Sequence, residues 1–480
     1  MKNLIFTLLL TFGINSIYSQ DSITTNFNIK DYSLRDYIAP DIKYNSLMIG
    51  TGIQGIGYDD SGSGYGNLWA VMNRYINTSK KQSQSITGLG SSFSGFWGDR
   101  NNNNVIQSMS YGLLYNINQT RVYNGNNSFW GFHSMFDIEH RGMYYSTTVP
   151  AQPYKSGYDN FIQFTPYLSH GNGRVEPVAS ARKAMDILIS LQKYNRLAIN
   201  PDATTIDSLA RIANRVTYKR FYDKRYKRVY QLDELDKGIQ SMGLVTDDDM
   251  IYAANLSDIW DYAFDFNRGS GQRIEYGIIP VYRMYNHNRI DSNDIHTVNN
   301  DQNYGVFGFG SWNKLTPLSY KWQSDIMIDI TAGWLGFQDN NSNNEASDQL
   351  SSVINASWSL GYYPSTRTYM GITPFYRMSF VAGDETSTET VGIHSGMDFR
   401  SYFYVSPRFR IELTADFGYG SPNYSFVTPM PFWNTSAFTM HKFTNDMDVN
   451  TSPDLLGNFE DQVISGWRYS LVFRLSYAIF

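Results

Sequence analysis

Apolar and polar residues alternate along an unusually long stretch of the chain, from Ser319 to Trp334. Isoleucine, alanine and aromatic residues occupy one set of alternate positions and polar or charged residues the other, with Ser324 and Met327 as exceptions. Successive side chains of a β-strand point to opposite sides, so this alternation predicts a strand with one apolar and one polar face.

The apolar face of this strand is aromatic at both ends and aliphatic in the middle. From Tyr320 to Trp334, at ~3.3 Å per residue and a tilt of ~40°, the strand would reach roughly 35 Å along a barrel axis. That length covers the ~25 Å apolar band and both aromatic girdles of a lipid-facing strand, whereas a typical strand has about five or six residues. The pattern therefore favours a membrane-spanning strand.

The same two-residue period recurs in other parts of the chain, including residues 273–284, 408–419 and 467–479. We therefore expect an all-β transmembrane antiparallel β-barrel of about 14 strands with an inserted α-helical subdomain. The candidate strands lie near residues 43–57, 65–78, 84–97, 104–117, 128–147, 158–170, 272–286, 303–313, 318–336, 349–362, 367–381, 389–404, 408–420 and 466–480.

The predicted connections alternate between short ones that contain proline and long ones rich in Asn, Asp and Ser. Transmembrane barrels have short turns on the periplasmic side and long loops outside, so the alternation supports this fold. Asn118–Ser128 is an exception, because it would be a long turn on the inner side. The short connections are Lys314–Pro317, Tyr363–Thr366 and Val405–Pro407, and the long ones are His287–Gln302, Phe337–Asp348 and Ser421–Ser465.

Residues 171–270 interrupt the strand pattern. Pro177 suits the first turn of a helix, and apolar residues then recur at helical spacing. We expect about four helices, the second capped by Thr204 or Thr205 and the fourth beginning at Thr246. This subdomain would either hang on the periplasmic side or fold into the barrel mouth as a plug.

Composition narrows the class of protein. The 480 residues are 16% aromatic and 17% charged, the net charge is −5, and there is no cysteine. These values argue against disorder and against nucleic-acid binding, and the lack of cysteine excludes disulfides and thiolate sites.

The first twenty residues resemble a secretory signal peptide, with Lys2 followed by an apolar run and then by small and polar residues. The rest of the sequence contains no run of 18 apolar residues, so no membrane-spanning helix is predicted. The predicted division of the chain is signal peptide 1–20, first barrel half 21–170, helical periplasmic or plug subdomain 171–270 and second barrel half 271–480.

The last strand candidate ends on Phe480, although its apolar register falls on Ile479. A final strand that closes on a terminal aromatic residue resembles the assembly signal of bacterial outer-membrane β-barrel proteins. The resemblance implies location in the outer membrane, contact with its lipid and insertion by the barrel insertion machinery. It implies no substrate.

Charged residues on the polar faces of the predicted strands are candidates to line the lumen. Ten are basic and six acidic, which favours a channel for anionic or sugar-like solutes, unless the charges are paired and conduct nothing. They are Arg273, Arg283, Lys321, Arg367, Arg377, Arg400, Arg408, Arg410, Arg468 and Arg474, with Glu275, Asp325, Asp329, Asp398, Glu412 and Asp416.

A run of basic and aromatic residues in the helical segment is a candidate partner-binding surface. It could bind peptidoglycan, another glycan or a periplasmic protein, or it could pair with the acidic residues of neighbouring helices. The candidates are Arg215, Lys219, Arg220, Tyr222, Lys224, Arg225, Lys227 and Arg228.

We expect no catalytic site, no metal and no cofactor. The open alternative is an outer-membrane hydrolase whose site is built on barrel strands from residues that are distant in sequence. His133 with Ser134, and His394 with Ser395, are neighbours that a strand would direct to opposite faces. The same argument separates His133 from His140 as metal ligands. The sequence thus predicts a channel or transport component for polar or anionic solutes or glycans. The alternative is a non-conducting structural or assembly component that binds a partner through its helices.

Overall fold

The computed structural model describes residues 32–58, 61–99, 104–125, 127–147, 154–219, 224–246, 249–262, 268–291, 295–339, 347–383, 390–406, 409–420 and 466–477. Within these residues, fourteen antiparallel strands form one sheet in which each strand pairs with the next along the chain, as predicted for an up-and-down barrel. The predicted signal peptide and Phe480 lie outside the described residues.

The strands are long, as the girdled pattern predicted. They are β1 (Ile42–Tyr58), β2 (Ser61–Thr78), β3 (Lys81–Asp99), β4 (Asn104–Asn124), β5 (Ser128–Thr147), β6 (Tyr154–Pro177), β7 (Gly269–Asp291), β8 (His296–Pro317), β9 (Trp322–Asp339), β10 (Ser347–Ser365), β11 (Thr368–Gly383), β12 (Thr390–Ser406), β13 (Phe409–Gly420) and β14 (Gly466–Tyr477).

Four helices lie between β6 and β7, and we call them together the helical unit. They are α1 (Ala179–Lys193), α2 (Ala203–Tyr218), α3 (Lys224–Ser241) and α4 (Met250–Tyr262). Their apolar faces share one core, which also takes in Leu34 and Tyr37 from the segment before β1. The cap of α2 is Asp202, which accepts the Thr205 backbone N–H at 2.8 Å, and not the predicted threonines.

The two ends of the barrel differ. The helical unit and the turns β2–β3, β4–β5, β8–β9, β10–β11 and β12–β13 share one end, which we call the helix end; the other connections form the loop end. Several predicted boundaries were wrong, because the strands continue further. All of Lys314–Pro317 belongs to β8 and most of Tyr363–Thr366 to β10, and Pro177 ends β6 and does not begin a helix. Most of Asn118–Ser128 belongs to β4, and most of His287–Gln302 belongs to β7 and β8.

The predicted alternation sorts side chains between the two faces of the sheet. On β9, Ile330 faces outward and is 47% exposed, whereas on β7 the inward Ile279 is fully buried. The inner face is concave, because Asn77 of β2 donates to Glu176 of β6 at 3.2 Å. On a flat sheet those strands would be about 19 Å apart, at ~4.8 Å per strand.

The inner face is less polar than the alternation predicted. Ile279, Val281, Phe307 and Leu335 from β7 to β9 form one buried cluster inside the barrel, together with Tyr167 and Phe309. A second cluster joins Val71, Ile86, Ile117 and Met135 from β2 to β5. The β2–β9 side of the interior is therefore packed with side chains.

Gly277 of β7 lies against the backbone of β6. A Cβ atom there would be 2.0 Å from the Leu168 carbonyl oxygen, so only glycine permits this approach. We expect Gly277→Ala to lower stability by about 1–3 kcal/mol through overpacking. Gly310→Ala on β8 is the control, since no atom lies within 4 Å of its Cβ position. The measurement is the temperature at which the folded band on an unboiled gel is lost, and equal temperatures for both variants would contradict the packing argument.

Candidate functional site

The helical unit is attached to the barrel through a buried network of charged groups that we call the latch. Its central side chain is Arg268, just before β7, which is fully buried. Its guanidinium donates to the backbone oxygens of Ser319 at 2.7 Å, Tyr320 at 2.6 Å and Trp322 at 2.8 Å, and to the Gln323 side chain at 3.2 Å. Burial lowers the pKa of Arg268 to about 10, so the side chain remains charged at neutral pH.

Helix α1 contributes the other half of the latch. The Tyr320 hydroxyl donates to Asp186, whose carboxylate lies 3.7 Å from the Arg182 Nε. Burial raises the pKa of Asp186, and the Arg182 guanidinium opposes that rise. The guanidiniums of Arg182 and Arg268 lie 4.8 and 5.0 Å from the ring centroid of Tyr363, at the end of β10, which they share as a cation–π partner.

Helix α4 makes a second attachment, which we call the α4 contact. Arg367, in the β10–β11 turn, donates to Asp258 at 2.7 Å, and its guanidinium lies 3.9 Å from the centroid of Tyr262. Tyr262 also packs edge-to-face on Tyr404 of β12, with centroids 6.4 Å apart.

The attachments are spread around the helix end. Besides the latch and the α4 contact, Tyr218 of α2 packs on Tyr44 of β1 at 5.9 Å between ring centroids. The helical unit therefore touches β1, the β8–β9 and β10–β11 turns and β12. A body that reaches strands so far apart in the sheet order lies across the mouth of the barrel.

A buried ion cluster lies on the inner face of β4 to β7. The Glu275 carboxylate accepts from Arg121 at 2.9 Å, from His133 at 2.7 Å and from the Ser169 hydroxyl at 2.6 Å. The cluster needs glycine at position 131, because a Cβ atom there would lie 1.9 Å from the Ser169 hydroxyl oxygen. The Ser169 hydroxyl also lies 3.4 Å from the His133 Nε2, but the Glu275 carboxylate is closer to both groups and competes with the histidine for the serine proton.

The inner face of β10 to β13 is wetter and carries what we call the polar stripe. Arg400 is 47% exposed at its side chain, although it pairs with Glu412 at 3.2 Å. Glu412 also pairs with Arg410 at 3.3 Å, and Asp398 lies opposite Asp416 in the β12–β13 register. The stripe comprises Ser359, Thr373, Arg377, Asp398, Arg400, Arg410, Glu412, Thr414 and Asp416.

The structure brings most predicted lumen residues to the inner face but not all. Arg367 belongs to the α4 contact at the barrel end, and Lys321 lies in the β8–β9 turn. Arg408 lies outside the described residues. Arg468 and Arg474 are placed only by their backbone, opposite Gly418 and Glu412. On the inner face are Arg273, Glu275, Arg283, Asp325, Asp329, Arg377, Asp398, Arg400, Arg410 and Glu412, with Asp416.

The basic run is partly paired within the helical unit, as the alternative interpretation expected. Arg215 pairs with Glu234 at 3.3 Å and Arg228 with Asp261 at 2.6 Å, and Lys219 lies 3.7 Å from the Tyr230 centroid. Arg225 is exposed on α3, which also contains Lys227 and Lys224. Arg220 and Tyr222 are outside the described residues.

Sequence reasoning missed the latch. One signal was present: Arg182 and Asp186, a charged pair one turn apart on α1, lie among the apolar residues Ala181, Ala184 and Met185. Such a pair on a buried face indicates a polar contact with another element. The pattern around Arg268 gave no sign that this residue belongs to the latch. Tyr320 fits the pattern of an aromatic girdle residue at the start of β9, so its contact with the helical unit was not predicted either.

In the part of the chain that the structure describes, no three His, Cys, Asp or Glu side chains are grouped to hold a metal ion. No described helix has the length and apolarity needed to cross a membrane.

No family model matches the chain, and a search of curated proteins found no match. Among solved structures, it is similar to the translocator domain of the autotransporter NalP from Neisseria meningitidis, with 8% identity, a TM-score of 0.31 and coverage of 77% of this chain and 91% of that one. It is also similar to the ferric yersiniabactin uptake receptor FyuA from Yersinia pestis, with 7% identity, a TM-score of 0.34 and coverage of 79% and 50%. The β domain of the Bordetella autotransporter Brka is 6% identical, with a TM-score of 0.25 and coverage of 71% and 93%. These are outer-membrane β-barrels, the class that the sequence resembles.

We expect Arg268→Met to loosen the helical unit while the barrel stays folded, because four acceptors lose their donor in a buried site. Limited proteolysis should cut the 179–262 segment at least tenfold faster, with the folded band on unboiled gels unchanged. Arg215→Met is the matched control, since its pair with Glu234 is exposed and contributes little. Equal cleavage rates in the two variants would show that the latch does not hold the helical unit.

Proposed function

We propose that this protein is an outer-membrane β-barrel that carries polar solutes along the polar stripe, and that the helical unit gates the passage at the periplasmic end. The observation that carries the proposal is the contrast between the two sides of the interior. From β2 to β9 the inner side chains are packed. On β10 to β13, Arg400 is half-exposed and Arg377, Asp398 and Asp416 are partly exposed, although Arg410 and Glu412 are buried.

The outer face supports location in a membrane. Aromatic and aliphatic side chains are exposed on β5, β7, β9 and β10, among them Trp130, Tyr276, Ile330 and Trp358, and water would not stabilise so large an apolar surface. An outer-membrane location also makes the barrel insertion machinery a partner in assembly.

The position of the α4 contact supports a gate. The strands that carry the polar stripe have their helix ends at the α4 contact, which includes Arg367, Tyr262 and Tyr404. Helix α4 therefore covers the helix end of the stripe. The α4 contact has exposed ion-pair atoms, unlike the latch, in which Arg268 is fully buried. Partly exposed pairs are weaker, so α4 is the part of the helical unit that is easiest to release.

The charges of the stripe indicate the kind of solute. Arg377, Arg400 and Arg410 face an equal number of carboxylates, from Asp398, Glu412 and Asp416. Paired charges with serine and threonine hydroxyls between them suit neutral, hydroxyl-bearing solutes such as glycans better than free anions.

We expect Arg367→Ala to raise the open probability in planar bilayers about tenfold, because the ion pair and the ring contact together contribute roughly 1–2 kcal/mol to the closed state. The open pore should show little preference between anions and cations. Lys237→Ala is the control, since it removes an exposed ion pair with Asp233 that does not involve the barrel.

The channel proposal is contradicted if the Arg367→Ala variant and a variant without the helical unit both fold but conduct no current in planar bilayers. That result would favour the alternative, a non-conducting component that presents its helices to a partner.

A further inference from the structure

Three polar residues lie side by side on the inner face of β5 to β7, and we call them the polar row. Asp137 of β5 lies opposite Gln163 of β6, which in turn lies opposite Arg283 of β7. The row faces into the barrel, because Met135 and Val281, two residues nearer the helix end on the same strands, belong to the buried inner clusters.

The interior widens from the polar row toward the loop end. On β7, Val281 is 3% exposed, whereas the His287 side chain, further toward the loop end, is 34% exposed. On β5, Met135 is 2% exposed and the Arg141 side chain 46%. The apolar clusters therefore close the interior below the polar row, and the row forms the floor of a space that we call the vestibule.

The two charged groups of the polar row have no partner among the described residues. Asp137 is 3% exposed, and its Oδ1 accepts no hydrogen bond from that part of the chain. The Nε–H of Arg283 donates none, and no described carboxylate lies within 4 Å of its guanidinium, that of Asp301 on β8 included. A charged group with little access to water is unfavourable without a partner, so each of the two attracts a group of opposite charge.

The next charged groups toward the loop end are bound to one another. Glu139 pairs with Arg141 at 3.1 Å, and Asp159 lies 2.9 Å from the His287 Nδ1. The floor of the vestibule thus presents one negative and one positive group that a ligand can approach.

The spacing of these two groups fits a small zwitterion. Two strand spacings separate Asp137 from Arg283, about 9.6 Å between Cα atoms at ~4.8 Å per strand. In a free α-amino acid the ammonium nitrogen and the carboxylate carbon are about 2.5 Å apart, and an ionic contact at each end adds about 2.8 Å. An amino acid that lies across Gln163 therefore reaches both charged groups.

An aromatic surface adjoins the floor. Phe161 of β6 and Tyr285 of β7 lie opposite each other, two residues nearer the loop end than the polar row, with ring centroids 4.6 Å apart. These rings provide apolar contact for the side chain of a ligand whose charged ends are held by the row.

We propose that the vestibule binds a free α-amino acid with an apolar or aromatic side chain, which enters from the loop end. Asp137 accepts from the ammonium group, Arg283 donates to the carboxylate, and the Phe161 and Tyr285 rings contact the side chain. This inference goes beyond the proposed function, because it depends on neither the polar stripe nor the gate.

The test is calorimetric titration of the full-length protein in detergent with L-phenylalanine, N-acetyl-L-phenylalanine and L-phenylalanine amide. Each derivative lacks one of the two charges, so we expect both to bind about tenfold more weakly than the free amino acid, or weaker still. No binding of L-phenylalanine, or equal binding of all three compounds, would overturn the proposal.

Two substitutions test which residue binds which end. Asp137→Asn should abolish the preference over the N-acetyl derivative and keep the preference over the amide, and Arg283→Gln should do the reverse. Lys237→Ala, in an exposed ion pair of the helical unit, is the control and should keep both preferences. The folded band on unboiled gels shows that each variant is intact. Folded variants that weaken all three compounds alike would mean that the two residues act only on the structure, and would overturn the assignment.

Discussion

The buried guanidinium of Arg268 determines how the two parts of the molecule fit together. One planar group with five N–H donors satisfies three backbone oxygens of the β8–β9 turn and a glutamine side chain, which a lysine could not do. Because Arg268 directly precedes β7, the same contact fixes where the chain leaves the helical unit and enters the barrel. The packing of α1 on the β8–β9 turn and of α4 on the β10–β11 turn depends on that fixed point.

The barrel interior has two kinds of wall, and the difference between them defines the proposed path of solutes along the polar stripe. The packed wall combines apolar clusters with a carboxylate that binds several donors at once, so it has little freedom to move. The polar stripe has hydroxyls and paired charges with partial access to water. The helical unit contacts both walls, but the α4 contact, which is the weaker of its two attachments, lies at the helix end of the polar stripe. Opening there would leave the packed wall intact.

Much of the fold could be predicted from local patterns. A two-residue period identifies strands and their two faces, so the strand order, the helical interruption and the inward side of Arg273, Glu275 and Arg377 followed from the sequence. The period does not say what lies opposite a side chain across the interior. For that reason the apolar clusters around Phe307 and Val71, and the shared carboxylate of Glu275, could not be foreseen.

The loop boundaries were predicted less well for a related reason. The predicted loop His287–Gln302 is rich in Asn and Asp, but the regular ladder between β7 and β8 extends most of it as β-structure. The pattern assigned Arg367 to the lumen, although it lies in a turn and binds Asp258 of α4. Tyr320 fitted the girdle pattern of β9, and its hydroxyl instead binds Asp186 of the helical unit.

The most direct test of the account is whether the helical unit is seated on the barrel end. The chain has no cysteine, so Asp258→Cys with Arg367→Cys gives a single pair for a short bismaleimide. We predict an efficient cross-link within one chain, because these side chains are in contact. A second pair, Asp258→Cys with Val381→Cys, should not react. Val381 lies on β11, which follows Arg367, and is about 45 Å further along the chain at ~3.3 Å per residue. If the first pair fails to cross-link in folded protein, or if both pairs react equally, the helical unit does not cover the barrel as described.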